Sequence, residues 1–250
     1  MSRDEEFLLR DKYNGQKTEG FLADCNRLAK GEPLGYIIGW IPFLDSKIFL
    51  DSHPLIPRQE TEFWVEKAIS THLVRKGTSS TILDLCAGSG CIGVSVLAHM
   101  KDAHVDFVEI DEQHHETISK NVRENGINSS HARIFGGDLF ENVTGTYDLI
   151  LTNPPYIDAT LGRVADEVLQ HEPSRALFGG KDGTEIIERI IANAGKHLAE
   201  GGILYMEHEP EQSAFLNVIA PKYGLMAETR RDQYDVFRYT RFTRTGEVSV

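Results

Sequence analysis

The alternation of short apolar runs with amphipathic segments from residue 81 onward restricts the fold more than any other feature of the chain. Short runs rich in β-branched and aromatic side chains predict strands. The predicted strands are 82–85, 105–110, 132–135, 147–151, 202–207, 226–229 and 236–240. Longer segments at 91–99, 113–125 and 185–198 have the apolar spacing of helices. This order predicts a doubly wound α/β domain with a seven-stranded sheet.

The first 58 residues follow a different pattern and are predicted to form two smaller parts. Residues 1–32 predict a short helical region, with two helices that each carry an apolar face. Residues 33–58 alternate apolar and polar side chains between glycine and proline breaks. That pattern predicts a β-hairpin linker with strands at 36–41 and 47–50. The main domain would then occupy residues 59–250.

Charge and cysteine content exclude several classes of protein. A formal net charge of −12 argues against stable binding of nucleic acid phosphates and favours a neutral or basic protein partner. The three cysteines lack CxxC or metal-ligand spacing, so reduced thiols and no metal site are expected. His171 and His208 are predicted to be ordinary surface residues. The acidic amino terminus and the lack of a long apolar run predict a soluble cytoplasmic protein without a membrane segment.

A glycine-rich loop follows the first predicted strand of the main domain. Gly88 and Gly90 permit a tight turn close to a ligand, and the helix after them presents its positive end. Asp111 closes the second predicted strand 21 residues after Gly90, near the spacing at which an acid reaches ribose hydroxyls. Asp138 follows the third strand and is placed to accept from an adenine amine. Either acid alone could be a solvated loop carboxylate, but the combination predicts a nucleotide-like ligand.

The segment Asn153-Pro154-Pro155-Tyr156 follows the fourth predicted strand, at the edge of the sheet where ligands bind. Two consecutive prolines fix the backbone and remove two N–H donors, which leaves a rigid loop of acceptors. The side-chain oxygen of Asn153 and the carbonyl of Pro154 could accept both hydrogens of a planar –NH2 group, while Tyr156 covers its plane. An ordinary turn after a strand is the alternative interpretation.

Two classes of reaction are compatible with these loops. Gly88-x-Gly90-x-x-Gly93 satisfies the dinucleotide-binding pattern, and Asp111 could hold the ribose of NAD. A nicotinamide oxidoreductase, however, would use a His, Tyr or Lys as acid or base and has no evident use for a neutral acceptor loop. A loop that holds an –NH2 group suits transfer of a methyl group from S-adenosylmethionine. The amine could belong to a protein amide or to adenine in a nucleic acid.

Over residues 32–242 the sequence resembles the class I methyltransferases that modify a glutamine amide of peptide chain release factors. The segment 31–39 is similar to the family's interdomain segment. The segment 55–62 is similar to its Pro-Arg-x-Glu/Asp-Thr-Glu motif, and 153–156 to its catalytic motif. His171-Glu-Pro-Ser-Arg-Ala-Leu177 is similar to the family's Glu-Pro-x-x-Ala-Leu stretch. Asn-Pro-Pro-Tyr is shared with adenine methyltransferases, so the other segments narrow the choice.

The resemblance implies a Rossmann-like class I methyltransferase domain that uses S-adenosylmethionine and releases S-adenosylhomocysteine. The residues expected at the cofactor are Asp84, Cys86, Ala87, Gly88, Ser89, Gly90, Asp111, Asp138, Leu139 and Asn153. Those expected to hold the glutamine are Asn153, Pro154, Pro155 and Tyr156, with Asn153, Pro154 and Tyr156 as the catalytic residues. Cys86 departs from the family pattern, because a glycine is usual there.

Further expectations concern the entrance to the site and the partners. Arg58 and Glu172 are expected to shape the substrate entrance, with a surface ion pair as the alternative. Thr61 is predicted to be the N-cap of the first helix of the main domain. The partner implied is a peptide chain release factor, and some members of the family work with a small activating partner. The helical region before the hairpin is shorter than the family's usual docking domain.

Overall fold

A computed structural model describes residues 1–76 and 79–246. Within this part of the chain the α-helices are α1 Arg3–Asp11, α2 Glu19–Leu28, α3 Leu34–Ile38, α4 Gln59–Lys76, α5 Cys91–His99, α6 Gln113–Glu124, α7 Asp166–His171, α8 Glu185–His197 and α9 Ser213–Ile219. The strands are β1 Trp40–Phe43, β2 Ser46–Phe49, β3 Thr81–Leu85, β4 His104–Glu109, β5 Ala132–Gly136, β6 Tyr147–Thr152, β7 Leu198–Glu207, β8 Leu225–Arg231 and β9 Phe237–Arg244.

The central sheet has seven strands in the order β5-β4-β3-β6-β7-β9-β8. The five strands from β5 to β7 are parallel, and β9 runs antiparallel to both β7 and β8. The prediction of a doubly wound, seven-stranded α/β domain is confirmed. From β3 the chain proceeds outward through β4 and β5 and then returns to the other side of β3 as β6. The carboxyl ends of β3 and β6 therefore flank a switch point, which is where open α/β sheets bind ligands.

Helices cover both faces of the sheet, and each face has its own apolar core. On α8, Ile187, Ile190 and Ile191 form a stripe that is fully buried against the sheet. Helix α5 packs unusually close to β4, because residue 93 is a glycine. A Cβ atom there would lie 2.3 Å from Cε1 of Phe107 and 2.8 Å from Cγ1 of Val105. The third glycine of the loop motif thus sets the distance between helix and sheet.

The amino-terminal helices form a small separate core in which Leu8, Phe21 and Ile37 are buried. Helices α1 and α2 lie within the predicted helical region. The prediction of a strand at 36–41 is wrong in its first part, because Leu34–Ile38 forms α3 and the strand begins at Trp40. Burial of Ile37 against the other two helices outweighs the β-propensity of this run. Gly39, at φ 90°, ends the helix in the left-handed conformation.

The hairpin formed by β1 and β2 is fixed to α6 by two asparagine side chains. Asn121 accepts from the N–H of Phe49 (2.7 Å) and donates to its carbonyl (3.0 Å). Asn125 does the same with Lys47, at 2.9 Å for both bonds. Asn121 also donates to the carbonyl of Ser89 in the glycine-rich loop (2.9 Å). The hairpin is therefore attached to the main domain next to the predicted cofactor site.

None of the helices within residues 1–76 and 79–246 combines the length and apolar character that crossing a bilayer requires.

Candidate active site

A cleft opens at the carboxyl ends of β3, β4 and β6, at the switch point of the sheet. It encloses about 1030 Å³ of empty space when its open mouth is counted, which is at the upper end of the roughly 300–1,000 Å³ range of small-molecule sites. The predicted site residues on its wall are Cys86, Ala87, Gly88, Ser89, Asp111, Asp138, Leu139, Asn153 and Pro155. The sequence motifs, which are far apart along the chain, therefore converge on one cavity.

The glycine-rich loop leaves an open surface toward this cleft. Gly88 has φ 56°, and a Cβ atom on it would meet no other atom within 4 Å. Gly90, at φ 76°, precedes the first turn of α5 and lies behind the wall. Asp84 is fully buried beneath the loop, where its carboxylate accepts from the N–H of Gly93 (2.8 Å). The cofactor site predicted from the sequence includes Asp84 and Gly90, but the lining of the cleft contains neither of them; Asp84 supports the loop from below.

Cys86 lies on the cleft wall with φ 61°, a left-handed conformation that is uncommon for residues with a side chain. The glycine that the family resemblance leads us to expect at this position would adopt the same conformation without strain. Burial raises the pKa of the Cys86 thiol, and likewise that of the neighbouring Cys91. Both thiols therefore remain protonated near neutral pH and add an uncharged surface to the cleft.

Two acids line the cleft after β4. The strand ends at Glu109, two residues before Asp111, so Asp111 does not close the strand as predicted. Glu109 is buried, and its carboxylate accepts from the N–H groups of Gly88 (2.7 Å) and Asp111 (2.9 Å). Sequence reasoning missed Glu109, although its distance from Gly90 is as close to the ribose-acid spacing as that of Asp111. The carboxylates of Glu109 and Asp111 thus lie next to each other on the cleft wall.

Asp138 and Leu139 form the wall after β5. The carboxylate of Asp138 is half exposed and accepts from Arg189 of α8 (2.7 Å). Leu139 has φ 55° and a buried side chain that belongs to the core under α8. Asp138 therefore lines the cleft, with one of its carboxylate oxygens bonded to an arginine.

Asn153 follows β6 and is bonded to helix α4. Its amide nitrogen donates to the hydroxyl of Thr61 (3.1 Å), and that hydroxyl donates to Glu207 at the end of β7 (2.6 Å). The prediction of Thr61 as an N-cap is wrong, because α4 begins at Gln59 and Thr61 is buried in its first turn. Both Asn153 and Thr61 line the cleft.

Glu207 connects the acceptor loop to the interior of the domain. It is 1% exposed and also accepts from the ring N–H of Trp64 (2.7 Å) and the hydroxyl of Tyr156 (2.9 Å). Burial raises the pKa of Glu207, and the donated hydrogen bonds partly oppose that rise. Tyr156 lies behind the wall, with its hydroxyl on this carboxylate, and Pro154 is buried. Sequence reasoning assigned no part of the site to Glu207, although it ends a strand at the same edge of the sheet.

Arg58 and Glu172 form an ion pair at 2.6 Å, in which the side chain of Glu172 is 2% exposed. Glu172 also accepts from the N–H of Ile56 (3.1 Å). The pair lines a second cavity beside the amino-terminal helices and joins two segments whose neighbouring residues, Pro57 and Pro173, face the cleft. The alternative of a surface ion pair is wrong for Glu172, because burial removes it from solvent.

His208 follows Glu207 and is fully buried, so the prediction of a surface histidine is wrong. Its ring nitrogens bond the carbonyl of Glu209 and the hydroxyl of Thr240, both at 2.8 Å. Burial lowers the pKa of His208 to about 4. Among the described residues no group of three or more His, Cys, Asp or Glu side chains is arranged to hold a metal ion.

The residues of the cleft fit a nucleoside cofactor. The open surface at Gly88 leaves room for a ligand directly against the backbone, and a larger residue there would fill that space. Carboxylates of Glu109, Asp111 and Asp138 surround the same cavity and can accept from hydroxyl and amine groups. The cleft is otherwise mostly apolar, as expected of a site that covers a purine base.

Comparisons with known proteins identify relatives of this chain. Residues 66–180 match the family model described as "Methyltransferase small domain". A release factor glutamine methyltransferase of Bifidobacterium longum is 35% identical over 230 residues, which are 86% of this chain and 78% of that protein. A 4-amino-L-phenylalanine/4-methylamino-L-phenylalanine methyltransferase of Streptomyces pristinaespiralis is 36% identical over 189 residues, or 73% of this chain and 63% of that protein.

A solved methyltransferase structure from Pyrococcus furiosus has the same fold, with a TM-score of 0.59 and 19% sequence identity. The similarity covers 90% of this chain and 98% of that one.

Proposed function

The chain belongs to the family of release factor glutamine methyltransferases, and we propose that it methylates the side-chain amide of the Gly-Gly-Gln glutamine in a peptide chain release factor. The observation that carries the proposal is the hydrogen bond from the amide nitrogen of Asn153 to Thr61. That bond directs the amide hydrogens of Asn153 toward α4 and leaves its oxygen as an acceptor for the –NH2 group of a substrate.

The substrate amide is a poor nucleophile, because its nitrogen lone pair is conjugated with the carbonyl. The barrier of about 18–20 kcal/mol to rotation about an amide bond reflects that conjugation. We propose that Asn153 and the carbonyl of Pro154 accept the two N–H bonds and so raise the electron density on nitrogen. Orientation by the same contacts brings the nitrogen to roughly 3–3.5 Å from the methyl group, in line for displacement.

A neutral asparagine suits this reaction better than an aspartate. A carboxylate at position 153 would attract the positively charged methyl donor before reaction, and attraction in the ground state does not accelerate the step. After methylation the nitrogen carries an extra proton and is strongly acidic. The proton can then leave to water, so no residue has to act as a general base.

The methyl donor is a cofactor of the S-adenosylmethionine type, and it supplies an electrophilic methyl group. We propose that it binds against the backbone of Ala87, Gly88 and Ser89 and is released as S-adenosylhomocysteine. Glu109 and Asp111 would hold the ribose hydroxyls, and Asp138 the adenine amine. Cys86 and Leu139 would contribute apolar surface. Asn153 lies on the same wall, which supports its contact with both cofactor and substrate.

The nature of the amine distinguishes this proposal from the other reactions considered. The relative from Streptomyces pristinaespiralis is named for an aromatic amine, so the same domain accepts different –NH2 groups. A relative from Neisseria meningitidis is named as a glutamine methyltransferase of ribosomal protein uL3. The relatives named as glutamine methyltransferases do not favour adenine methylation or nicotinamide chemistry for this chain.

We propose that Arg58 and Glu172 set the shape of the entrance through which the protein loop approaches. We also propose that the reaction takes place in the cytoplasm.

The test is transfer of labelled methyl from S-adenosylmethionine to a purified release factor. We expect label on the factor with a Gly-Gly-Gln loop and none when that glutamine is replaced by alanine. Ribosomal protein uL3, 4-amino-L-phenylalanine and adenine-containing DNA serve as competing substrates. Preferential labelling of any of these would refute the release factor assignment. Label that depends on added cell extract would support a small activating partner.

A further inference from the structure

One buried carboxylate receives the hydrogen bonds that hold both ends of the acceptor loop. Glu207 accepts from Thr61 through Oε2 and from Tyr156 through Oε1, and Thr61 in turn accepts from Asn153. Trp64 donates a further bond to Oε2. Thr61, Trp64 and Glu207 are each at most 2% exposed. Solvent therefore has little access to this network, and each of its protons must be matched to an acceptor within it.

With Glu207 ionised and accepting three hydrogen bonds, the direction of every bond in this network follows from the chemistry of its members. The indole N–H of Trp64 can only donate, so the Oε2 atom of Glu207 must be an acceptor. The hydroxyl of Thr61 has a single proton, which it donates to the same oxygen at 2.6 Å. Its oxygen can then only accept, so Asn153 must turn its –NH2 group toward Thr61. The carbonyl oxygen of Asn153 is thereby forced to face the opposite way.

We propose that Thr61 and Glu207 are positioning residues for methyl transfer, because together they determine which end of the Asn153 amide faces the substrate. This inference rests on the proposed function and concerns how its acceptor is oriented. The two ends of an asparagine amide have nearly the same shape, so packing alone does not distinguish them. A flipped amide would present N–H groups to a substrate that itself donates N–H groups. The network prevents that orientation before the substrate arrives.

The same network would discriminate between glutamine and glutamate. A glutamate in the substrate loop presents only acceptors at neutral pH, so the fixed oxygen of Asn153 would repel it. If the amide were free to rotate, Asn153 could donate to a glutamate instead. Selection of an amide over a carboxylate would thus originate at Thr61 and Glu207, which lie two and three hydrogen bonds away from the substrate.

The variant that tests this inference is Thr61→Val, which removes the hydroxyl and keeps the branched shape. We expect kcat to fall about 10–100-fold, as for loss of a partner that orients a contacting residue, which is less than for loss of the contacting residue itself. The Kd for S-adenosylmethionine should change by no more than about threefold. Thr61→Ser keeps the hydroxyl and should restore most of the turnover. An unchanged kcat in Thr61→Val, or an equal loss in Thr61→Ser, would overturn the proposal.

A binding measurement separates orientation from a general loss of structure. Affinities of each variant are measured for release factors whose loop carries Gly-Gly-Gln or Gly-Gly-Glu. Thr61→Val should lower the preference for glutamine over glutamate at least about fivefold, as expected for one lost hydrogen bond and one relieved repulsion. A variant that is merely destabilised would bind both factors less well, but the ratio of its affinities for the two factors would equal that of the wild type. An unchanged ratio would therefore contradict the proposal.

Glu207→Gln distinguishes orientation from charge. Trp64 can only donate, so the new amide must turn its oxygen to Trp64 and Thr61 and its nitrogen to Tyr156, whose hydroxyl can accept. The orientation of Asn153 is then preserved, and we expect kcat to fall less than in Thr61→Val. A larger loss in Glu207→Gln than in Thr61→Val would mean that the negative charge matters instead, and would overturn the proposal.

The orientation can also be measured without any protein substrate. In isotope-labelled enzyme saturated with S-adenosylmethionine, the side-chain amide protons of Asn153 should show a nuclear Overhauser effect to the methyl group of Thr61. Its absence would overturn the proposed orientation. If the wild-type enzyme methylates no release factor, the proposed function fails, while this measurement still decides how Asn153 is held.

Discussion

The glycine at position 93 gives the sharpest test of the packing, because helix propensity and packing predict opposite effects of its replacement. Within a helix, Gly→Ala normally stabilises by about 1 kcal/mol. Here the added Cβ would lie 2.3 and 2.7 Å from two ring atoms of Phe107 and 2.8 Å from Val105. Carbon atoms normally approach to about 3.5 Å, so helix and strand would have to separate by roughly 1 Å.

Both neighbours of that Cβ are fully buried on β4, so neither side chain can move into solvent. Overpacking of this kind costs about 1–3 kcal/mol, and two rigid contacts place Gly93→Ala at the upper end. After subtraction of the gain in helix propensity, we expect a net loss of about 2 kcal/mol. For a chain of this size that loss corresponds to a fall in Tm of about 4–8 °C.

The assay is thermal unfolding followed by circular dichroism, with Gly88→Ala as the matched control. A Cβ on Gly88 meets no atom within 4 Å but enters the cleft. Its cost in stability is the left-handed conformation alone, about 1–2 kcal/mol, whereas affinity for S-adenosylmethionine should fall clearly. A Tm of Gly93→Ala equal to or above that of the wild type would refute the packing argument, because α5 could then move away from β4 without cost.

Three further predictions concern other parts of the site. Asn153→Ala should raise the barrier to methyl transfer by about 3–4 kcal/mol, while S-adenosylmethionine still binds. Near-normal turnover of this variant would show that Asn153 takes no part in the reaction. Arg58→Ala leaves the buried carboxylate of Glu172 without its cation and should lower the free energy of unfolding in urea by about 1–3 kcal/mol, a range that allows for the partial exposure of Arg58. An unchanged value would mean that water replaces the guanidinium. The low pKa of His208, about 4 against 6.5 when unfolded, means that the unfolded chain takes up a proton first as pH falls. Stability should therefore fall by up to about 3 kcal/mol between pH 6.5 and 4, and His208→Gln should lose this part of the pH dependence.

Much of the fold follows from local sequence patterns. Each of the five parallel strands of the central sheet contains a short stretch of apolar residues, whereas β8 and β9 alternate apolar with charged and polar residues. The glycine-rich and Asn-Pro-Pro loops follow β3 and β6 directly. Their meeting at one cleft could be predicted, because carboxyl ends of parallel strands lie at the same edge. The resemblance to release factor glutamine methyltransferases is likewise confirmed by the relatives of the chain.

Other features depend on contacts that have no local signature. Thr61 and Glu207 are 146 residues apart, and only the folded sheet brings the first turn of α4 to the end of β7. Read locally, Thr61 has the sequence context of an N-cap. The segment at α3 has the composition of a strand, yet it becomes a helix because the amino-terminal core buries Ile37. In both cases tertiary packing outweighs the local preference.

The attachment of the hairpin to α6 also has a consequence for solubility. An unpaired strand edge is a template on which other chains can add, and it promotes aggregation. Asn121 and Asn125 occupy the outer edge of β2 with the same alternating pairs of bonds that a neighbouring strand would make. One side chain on α6 and one on the residue that caps it thus replace the missing strand. Loss of these asparagines would first be noticed as insoluble protein during expression, and a screen restricted to soluble, purified variants would miss their importance.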